Sequence, residues 1–446
     1  MNRYFIVSFA FLPVLVIAGV LTLLLVRPGD PAPTGTEGVE KDLELYLEVR
    51  AKLLAHYDGE LSEEELRNAA LQGLAQGTGD RYTRVLPPVA TKGQDMDLEG
   101  QFFGIGVNIQ LNDDGSLHVT RVEQNGGADK AGMLKDDVIV AVDGVSILGQ
   151  PFESSTLRIK SKVENSVVNV AVLRGGKTDS GTDPKAKRME FEVTRSRVES
   201  FSVHDVHIEE SNGRKFGYLR IGEFVANTFE QFKAAIEDLA AQGAEGWVID
   251  LRGNGGGRVN TASDIVDSLL SEKDALITFT RSSRDSNREG DRVIKTRDET
   301  AITSLPVVLL IDDGTASASE LVTGALKDHG RAYVIGTRSF GKGVVQTIYK
   351  LDADPNYTVN ITTTQYFTPL GRRVQNGKGG ESGGIQPDLL VEWKNGEQSR
   401  VRARLAARTA RYNRDEVKAA SQWWDQEDRM LLAALDFLSG VPVVVK

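Results

Sequence analysis

Ser317 and Lys342 are the two side chains of this 446-residue chain whose setting best suits chemistry. Both lie in the stretch Gly314–Gln346, GTASASELVTGALKDHGRAYVIGTRSFGKGVVQ. From Ala318 the apolar residues Leu321, Val322, Ala325 and Leu326 share one face of a predicted helix, which Gly330 closes. Ala332–Thr337 then reads as a buried strand, Arg338–Gly343 as a loop, and Val344–Leu351 as an alternating strand. Ser317 therefore starts a helix, and Lys342 sits in a loop beyond the neighbouring strand. A serine so placed is ordinarily a cap, and Ser317-Ala-Ser-Glu320 has the S-x-x-E form of a capping box. A nucleophilic serine needs a base. His329 is on the same helix, roughly 18 Å along its axis at 1.5 Å per residue, and is out of reach. Lysine is the remaining local base, and only its neutral amine can take a proton.

Gly336-Thr-Arg-Ser-Phe-Gly341-Lys342 also matches the G-x-x-x-x-G-K opening of a phosphate-binding loop. Residue 343 is glycine where magnesium binding needs Ser or Thr, and VVQTIYKL alternates like a strand instead of opening a helix. Both features weigh against nucleotide chemistry.

The segments TASASE, ALKDHGRA and FGKGVVQ together resemble the catalytic core of the C-terminal processing peptidases, the tail-specific proteases that use a Ser–Lys dyad. The resemblance implies Ser317 as nucleophile, Lys342 as general base and Gln346 as the residue that orients the lysine. Thr315 stands where the family pattern has a further serine. The turn Asp250-Leu-Arg-Gly-Asn-Gly-Gly-Gly257 matches the family's D-L-R-x-N-x-G-G. It implies an oxyanion hole built from the N–H of Gly256, with Gly257 the one-residue alternative, and the N–H of Ala318. Glycine suits such a turn because only a bare backbone approaches a substrate carbonyl so closely. A second resemblance, to a PDZ domain, rests on FFGIGV (Phe102–Val107) and KAGMLKDDVIVAVDGV (Lys130–Val145), with Asp136 in place of a glycine. It implies that Gly104, Ile105, Gly106 and Val107 bind a substrate tail by its carboxylate and by strand addition, beside a helix expected over Ser154–Val163. The family implies protein substrates with apolar C-terminal tails, no metal or cofactor, and makes a homo-oligomer and an adaptor protein expected partners; a catalytically idle PDZ scaffold that only tethers partners is the alternative, which a serine-directed activity probe would distinguish.

These residues need an α/β scaffold of mixed α+β character, and the rest of the chain is read accordingly. Tyr4–Val26 is an uncharged apolar run long enough to cross a bilayer, and no A-x-A cleavage site follows it. The expected order is a membrane anchor (1–27, N-terminus inside), a Pro/Gly linker (28–38) and a helical region (39–97) with helices at Glu40–Tyr57 and Ser62–Gln76. A PDZ domain (98–197), a mixed-sheet protease core (198–395) and a helical C-terminal region (396–446) follow, the last a dimerisation arm or a helical cap. Everything after the anchor is expected to be exported. Asp80–Pro88 reads as a turn-rich connector, and Thr178–Lys187 and Ser282–Glu299 as solvated hairpins. Lys215–Phe224 and Gly246–Leu251 flank a helix, Thr228–Ala241, as a βαβ unit. A net charge of −10 without a basic block argues against nucleic acid. His204 and His207 fall on opposite faces of an extended run, which disfavours a metal pair. The absence of cysteine removes thiol chemistry and suits an extracytoplasmic protein.

Overall fold

A computed structural model describes residues 36–442 apart from 100, 124, 151, 176, 179–180, 183–185, 200, 283–290, 378–382, 395 and 411–427. The chain forms two compact units, Met1–Gly79 and Asp80–Lys446. The predicted anchor Tyr4–Val26 lies outside the described residues. Among the described ones, no helix is long and apolar enough to cross a membrane.

The first unit contains helices Thr36–His56 and Glu63–Gln76. The first begins inside the expected linker, because Thr36–Gly38 already belong to it. The second starts at an ordinary capping box. Ser62 has extended backbone (φ −94°, ψ 155°), its hydroxyl accepts the Glu65 N–H, and Glu65 accepts the Ser62 N–H.

The expected connector at Asp80–Pro88 contains a strand, Arg84–Leu86, paired antiparallel with Thr358–Phe367. A helix absent from the sequence reading, Pro88–Glu99, follows it. The β-rich domain is a sheet ordered Lys187–Thr194, Val167–Arg174, Val138–Val142, Leu117–Val122, Val107–Leu111. Its apolar centre includes Leu117, Val119, Ile139, Val168 and Val170. The helix expected over Ser154–Val163 spans Phe152–Ile159, starting earlier and ending four residues sooner.

The larger sheet runs Val203–Ser211, Arg214–Ile221, Trp247–Asp250, Val307–Ile311, Ala332–Gly336, Leu389–Leu390. Its first pair is antiparallel and the rest are parallel, so the sheet is mixed as expected. The two-residue period assigns its side chains to two cores. Ile249, Val307 and Leu309 face the helices Thr228–Ala241, Val259–Leu269 and Ala318–Asp328. Val248, Val308 and Leu310 face Glu397–Ala410 and Arg429–Ser439. Each fully buried aliphatic side chain contributes about 1.5–3 kcal/mol, which makes both layers integral. The C-terminal helices thus serve as a cap on the core.

Parallel strands leave their carboxyl ends at one edge, the usual place for a site in such sheets. Here the turns after Trp247–Asp250, Val307–Ile311 and Ala332–Gly336 converge on that edge. They carry Gly256, Ser317 and Lys342.

Candidate active site

Ser317 is not held like Ser62. It starts the helix Ala318–Asp328 with φ 57° and ψ −118°, a left-handed conformation that costs a non-glycine residue roughly 1–3 kcal/mol. The outline of a capping box is present. Its firm contact is the glutamate's, because Glu320 Oε2 accepts the Ser317 N–H at 2.8 Å. The Glu320 N–H makes its hydrogen bond to the Ser317 carbonyl, at 2.9 Å.

Glu320 does far more than cap. It is fully buried. Its Oε1 accepts the Ser339 hydroxyl at 2.6 Å and the Gly341 N–H at 2.7 Å, and its Oε2 accepts the Lys342 N–H at 2.8 Å. One carboxylate therefore ties the serine's amide to the lysine's amide. Burial raises the Glu320 carboxyl above its ordinary value, and the four donated hydrogen bonds oppose that rise. The loop N–H groups are used up inside the protein, those of Gly341 and Lys342 by this carboxylate and those of Ser339, Phe340 and Gly343 by the Ile385 carbonyl, the Thr315 carbonyl and Gln375 Oε1, and a strand, Val344–Lys350, follows the loop. The nucleotide alternative loses its structural basis.

Tyr366 makes a second tie. Its buried hydroxyl lies 2.8 Å from the Ser317 carbonyl and 3.0 Å from the Lys342 carbonyl. Tyr366→Phe is expected to leave these carbonyls without that donor and to cost about 1–3 kcal/mol. A urea midpoint equal to the parent's would show that the bridge carries no stability.

Lys342 is half-buried, with its Nζ 5.2 Å from the centroid of the Tyr82 ring. Burial lowers its amine below the ordinary lysine value, Arg84 and Arg81 add like charge in the same sense, and Glu320 and Asp80 oppose them. Gln346 occupies the predicted position on the following strand, but its Nε2 donates to the Tyr82 carbonyl at 2.5 Å. His329 is turned away, its Nε2 bonded to the Leu276 carbonyl at 2.8 Å.

The glycine turn meets the serine closely. A side chain on Gly256 would bring its Cβ within 2.8 Å of the Ser317 Cβ and 3.0 Å of the Ala318 nitrogen, so only glycine fits. The Gly256 N–H, however, donates to Asn254 Oδ1 at 2.9 Å, which corrects its expected role as the free donor. Gly257 and Ala318 have N–H groups with no acceptor among the described residues. The Asn254 carbonyl in turn accepts the Ala316 N–H at 2.9 Å and the Ser319 hydroxyl at 3.0 Å. Behind this turn Arg252, 1% exposed, is sandwiched between Asp250 and Asp428 by paired contacts of 2.6–3.0 Å.

In the β-rich domain, Gly104 ends the strand Gln101–Gly104 and Val107 begins the edge strand Val107–Leu111. The Ile105 carbonyl accepts the Ala128 N–H at 2.7 Å and the Gly106 carbonyl accepts the Glu123 N–H at 2.9 Å. The N–H groups of Ile105 and Gly106 have no acceptor among the described residues. Gly106 has φ +76°, which frees the turn to expose them.

Tyr82, Tyr366 and Asp428 escaped the sequence reading, and Glu320 entered it only as a cap. The one usable signal was S-x-x-E, which marks a glutamate beside the serine without revealing what else that glutamate holds.

Known proteins share parts of this sequence. Residues 215–391 match peptidase family S41 and residues 104–182 match a PDZ domain. A carboxyl-terminal-processing protease of Picosynechococcus sp. is 31% identical over 313 residues, covering 70% of this chain and 70% of that protein. One from Synechocystis sp. is 29% identical over 334 residues, covering 74% of this chain and 72% of its own. Among solved structures, a photosystem II D1 C-terminal processing protease is 27% identical with a TM-score of 0.43, over 78% of this chain and 86% of that one. The chain therefore belongs to peptidase family S41, the carboxyl-terminal-processing serine proteases, and carries a PDZ domain.

Proposed function

We propose that this protein is an endopeptidase that cleaves exported proteins recognised by apolar C-terminal tails, with Ser317 and Lys342 as its catalytic dyad. Neutral Lys342 takes the Ser317 proton as the hydroxyl oxygen attacks the scissile carbonyl. The N–H groups of Ala318 and Gly257 stabilise the oxyanion. The protonated lysine then gives its proton to the leaving amine, and a water deprotonated by the same lysine hydrolyses the acyl-enzyme. The observation that carries this reading is the shared anchorage of a strained Ser317 and a half-buried Lys342 on Glu320 and Tyr366.

The free N–H groups of Ile105 and Gly106 support the loop Gly104–Val107 as the tail-carboxylate site, and the edge position of Val107–Leu111 supports strand addition. The domain limits 98–197 and 198–395 belong to the same proposal. So do an anchor at Tyr4–Val26 with export of the rest, a homo-oligomer and an adaptor. A model substrate ending in a free apolar tail is expected to be cleaved, Ser317→Ala to abolish cleavage, and amidation of the tail to slow it markedly. Undiminished cleavage by Ser317→Ala would overturn the dyad, and equal rates for the free and amidated tails would overturn carboxylate recognition.

A further inference from the structure

The segment Asp80–Arg84 lies against the lysine, although its sequence reads as a connector. Asp80 shapes it as a side-chain turn, accepting the Tyr82 N–H at 3.2 Å, the Thr83 N–H at 3.0 Å and the Thr83 hydroxyl at 2.7 Å. Thr83 Oγ1 then accepts the Thr362 N–H at 3.2 Å, and Arg84–Leu86 pairs with Thr358–Phe367. Tyr82 is thereby fixed on the strand system that also carries Gln346, and Gln346 holds its carbonyl. On its outer side the Arg81 guanidinium hydrogen-bonds the Tyr82 hydroxyl and lies 4.7 Å from its ring centroid and 5.2 Å from that of Phe340. The ring is thus held from its carbonyl, its amide and its hydroxyl, with the Lys342 Nζ 5.2 Å away.

We propose that Tyr82 is a positioning residue for the lysine base: its ring shields the Lys342 amine from water, and Gln346 acts on Lys342 by holding Tyr82 in place. This rests on the Ser–Lys reading given above. Two effects of the ring oppose each other. Its face attracts an ammonium and favours the charged lysine. Its bulk excludes water and favours the neutral amine, which is the form a base needs. Burial is the leading cause of the lowered lysine value, and a ring 5.2 Å from the amine contributes to that burial; the pH profile decides which of the two effects is larger. The other ionisable groups acting on the amine are Arg81, Arg84 and Asp80 from the same segment and Glu320 from the serine's helix, while Tyr366 touches the Lys342 carbonyl. None of them is removed by changing Tyr82.

The test is the pH profile of kcat/KM for a peptide substrate, measured on the full chain. Activity should rise with pH as Lys342 loses its proton. Tyr82→Ala admits water and is expected to move that acidic limb to higher pH. At neutral pH a displacement of ~1 pH unit lowers activity about tenfold. Tyr82→Phe, which keeps the ring, should hold the limb at the parent's position. Gln346→Ala, which loosens Tyr82 without deleting it, should move the limb in the same direction as Tyr82→Ala and by less, and it serves should Tyr82→Ala fail to fold. A uniform loss of rate with an unmoved limb in both Tyr82→Ala and Gln346→Ala would make Tyr82 merely structural and overturn the proposal. Lys342→Met is the control: retained cleavage there would sink the Ser–Lys reading itself, whereas an inactive Lys342→Met beside a Tyr82→Ala with the parent's profile would sink only the role of Tyr82.

Discussion

Lys342→Met is expected to abolish peptidase activity while leaving the protein at least as stable as its parent near neutral pH. A positioned general base contributes about 10²–10⁴-fold to rate, and methionine has no proton acceptor to replace it. The stability half of the expectation follows from the lowered value of the buried amine. An unperturbed lysine titrates near ~10.4, so in the unfolded chain Lys342 stays protonated to higher pH than in the folded one. Between the folded value and ~10.4 the unfolded state binds more protons, and stability rises with pH across that window. Below it both states are protonated, and the fold bears the full penalty of a poorly hydrated ammonium. Methionine keeps much of the side chain's length and removes that penalty. The gain in melting temperature should therefore be largest at low pH and fade as pH climbs through the window. Lys342→Arg should be inactive as well, because guanidinium cannot act as a base. Substantial cleavage by Lys342→Met would exclude the lysine as base. A clear loss of stability in an inactive variant would instead mark a charged, paired, structural lysine.

The parts of this site that were legible in the sequence are those whose logic is local. The helix Ala318–Asp328 was visible because its apolar residues repeat at helical spacing, and the strands Ala332–Gly336 and Val344–Lys350 because their patterns are strand-like. Three motifs at consistent spacing placed Ser317 and Lys342, and the βαβ unit around Thr228–Ala241 followed from a strand, a helix and a strand in succession. What stayed hidden depends on partners far apart in the chain. Gln346 and Tyr82 are 264 positions apart, and Arg252 and Asp428 are 176 apart. Asp80–Pro88 reads as turns because Asp80 does build one, and nothing local reveals that the strand beyond it joins Thr358–Phe367. The glycine turn was half legible for a related reason. Motif spacing offers Gly256 with Gly257 as the one-residue alternative, and only the side chain of Asn254, which takes the Gly256 N–H, separates the two.

The longest-range of these contacts to touch the glycine turn carries the largest expected effect on stability. Asp428 lies at the start of the helix Arg429–Ser439, where its carboxylate accepts the Leu431 N–H at 3.2 Å and both Arg252 NH groups at 2.8 Å. Asp250 holds the other side of the guanidinium, and the Tyr218 hydroxyl donates to Asp250 at 2.7 Å. Arg252, Asp250 and Asp428 are each no more than 1% exposed, so water cannot substitute for a missing partner. Burial alone would lower the Arg252 value, but the charges of Asp250 and Asp428 outweigh it and keep the guanidinium firmly protonated. Such a group does not escape by neutralising when one carboxylate is deleted. Asp428→Ala is therefore expected to cost about 3–5 kcal/mol, the range for breaking a buried pair from one side. About 1 kcal/mol of that belongs to the lost helix cap. Asp428→Asn keeps the cap acceptor and the shape but not the charge, and should fall between the two. Activity should suffer too, since Arg252 immediately precedes the Gly253–Gly257 turn and the Gly253 N–H is itself held by Asp312 at 2.8 Å. With the guanidinium loosened, the turn whose Gly256 packs against Ser317 loses its backing, and kcat should fall more than KM changes in protein still folded at low temperature. The measurement is a pair of urea curves with kinetics on the folded fraction. A midpoint for Asp428→Ala within experimental error of the parent would mean that the C-terminal helix is an appendage, not part of the catalytic core.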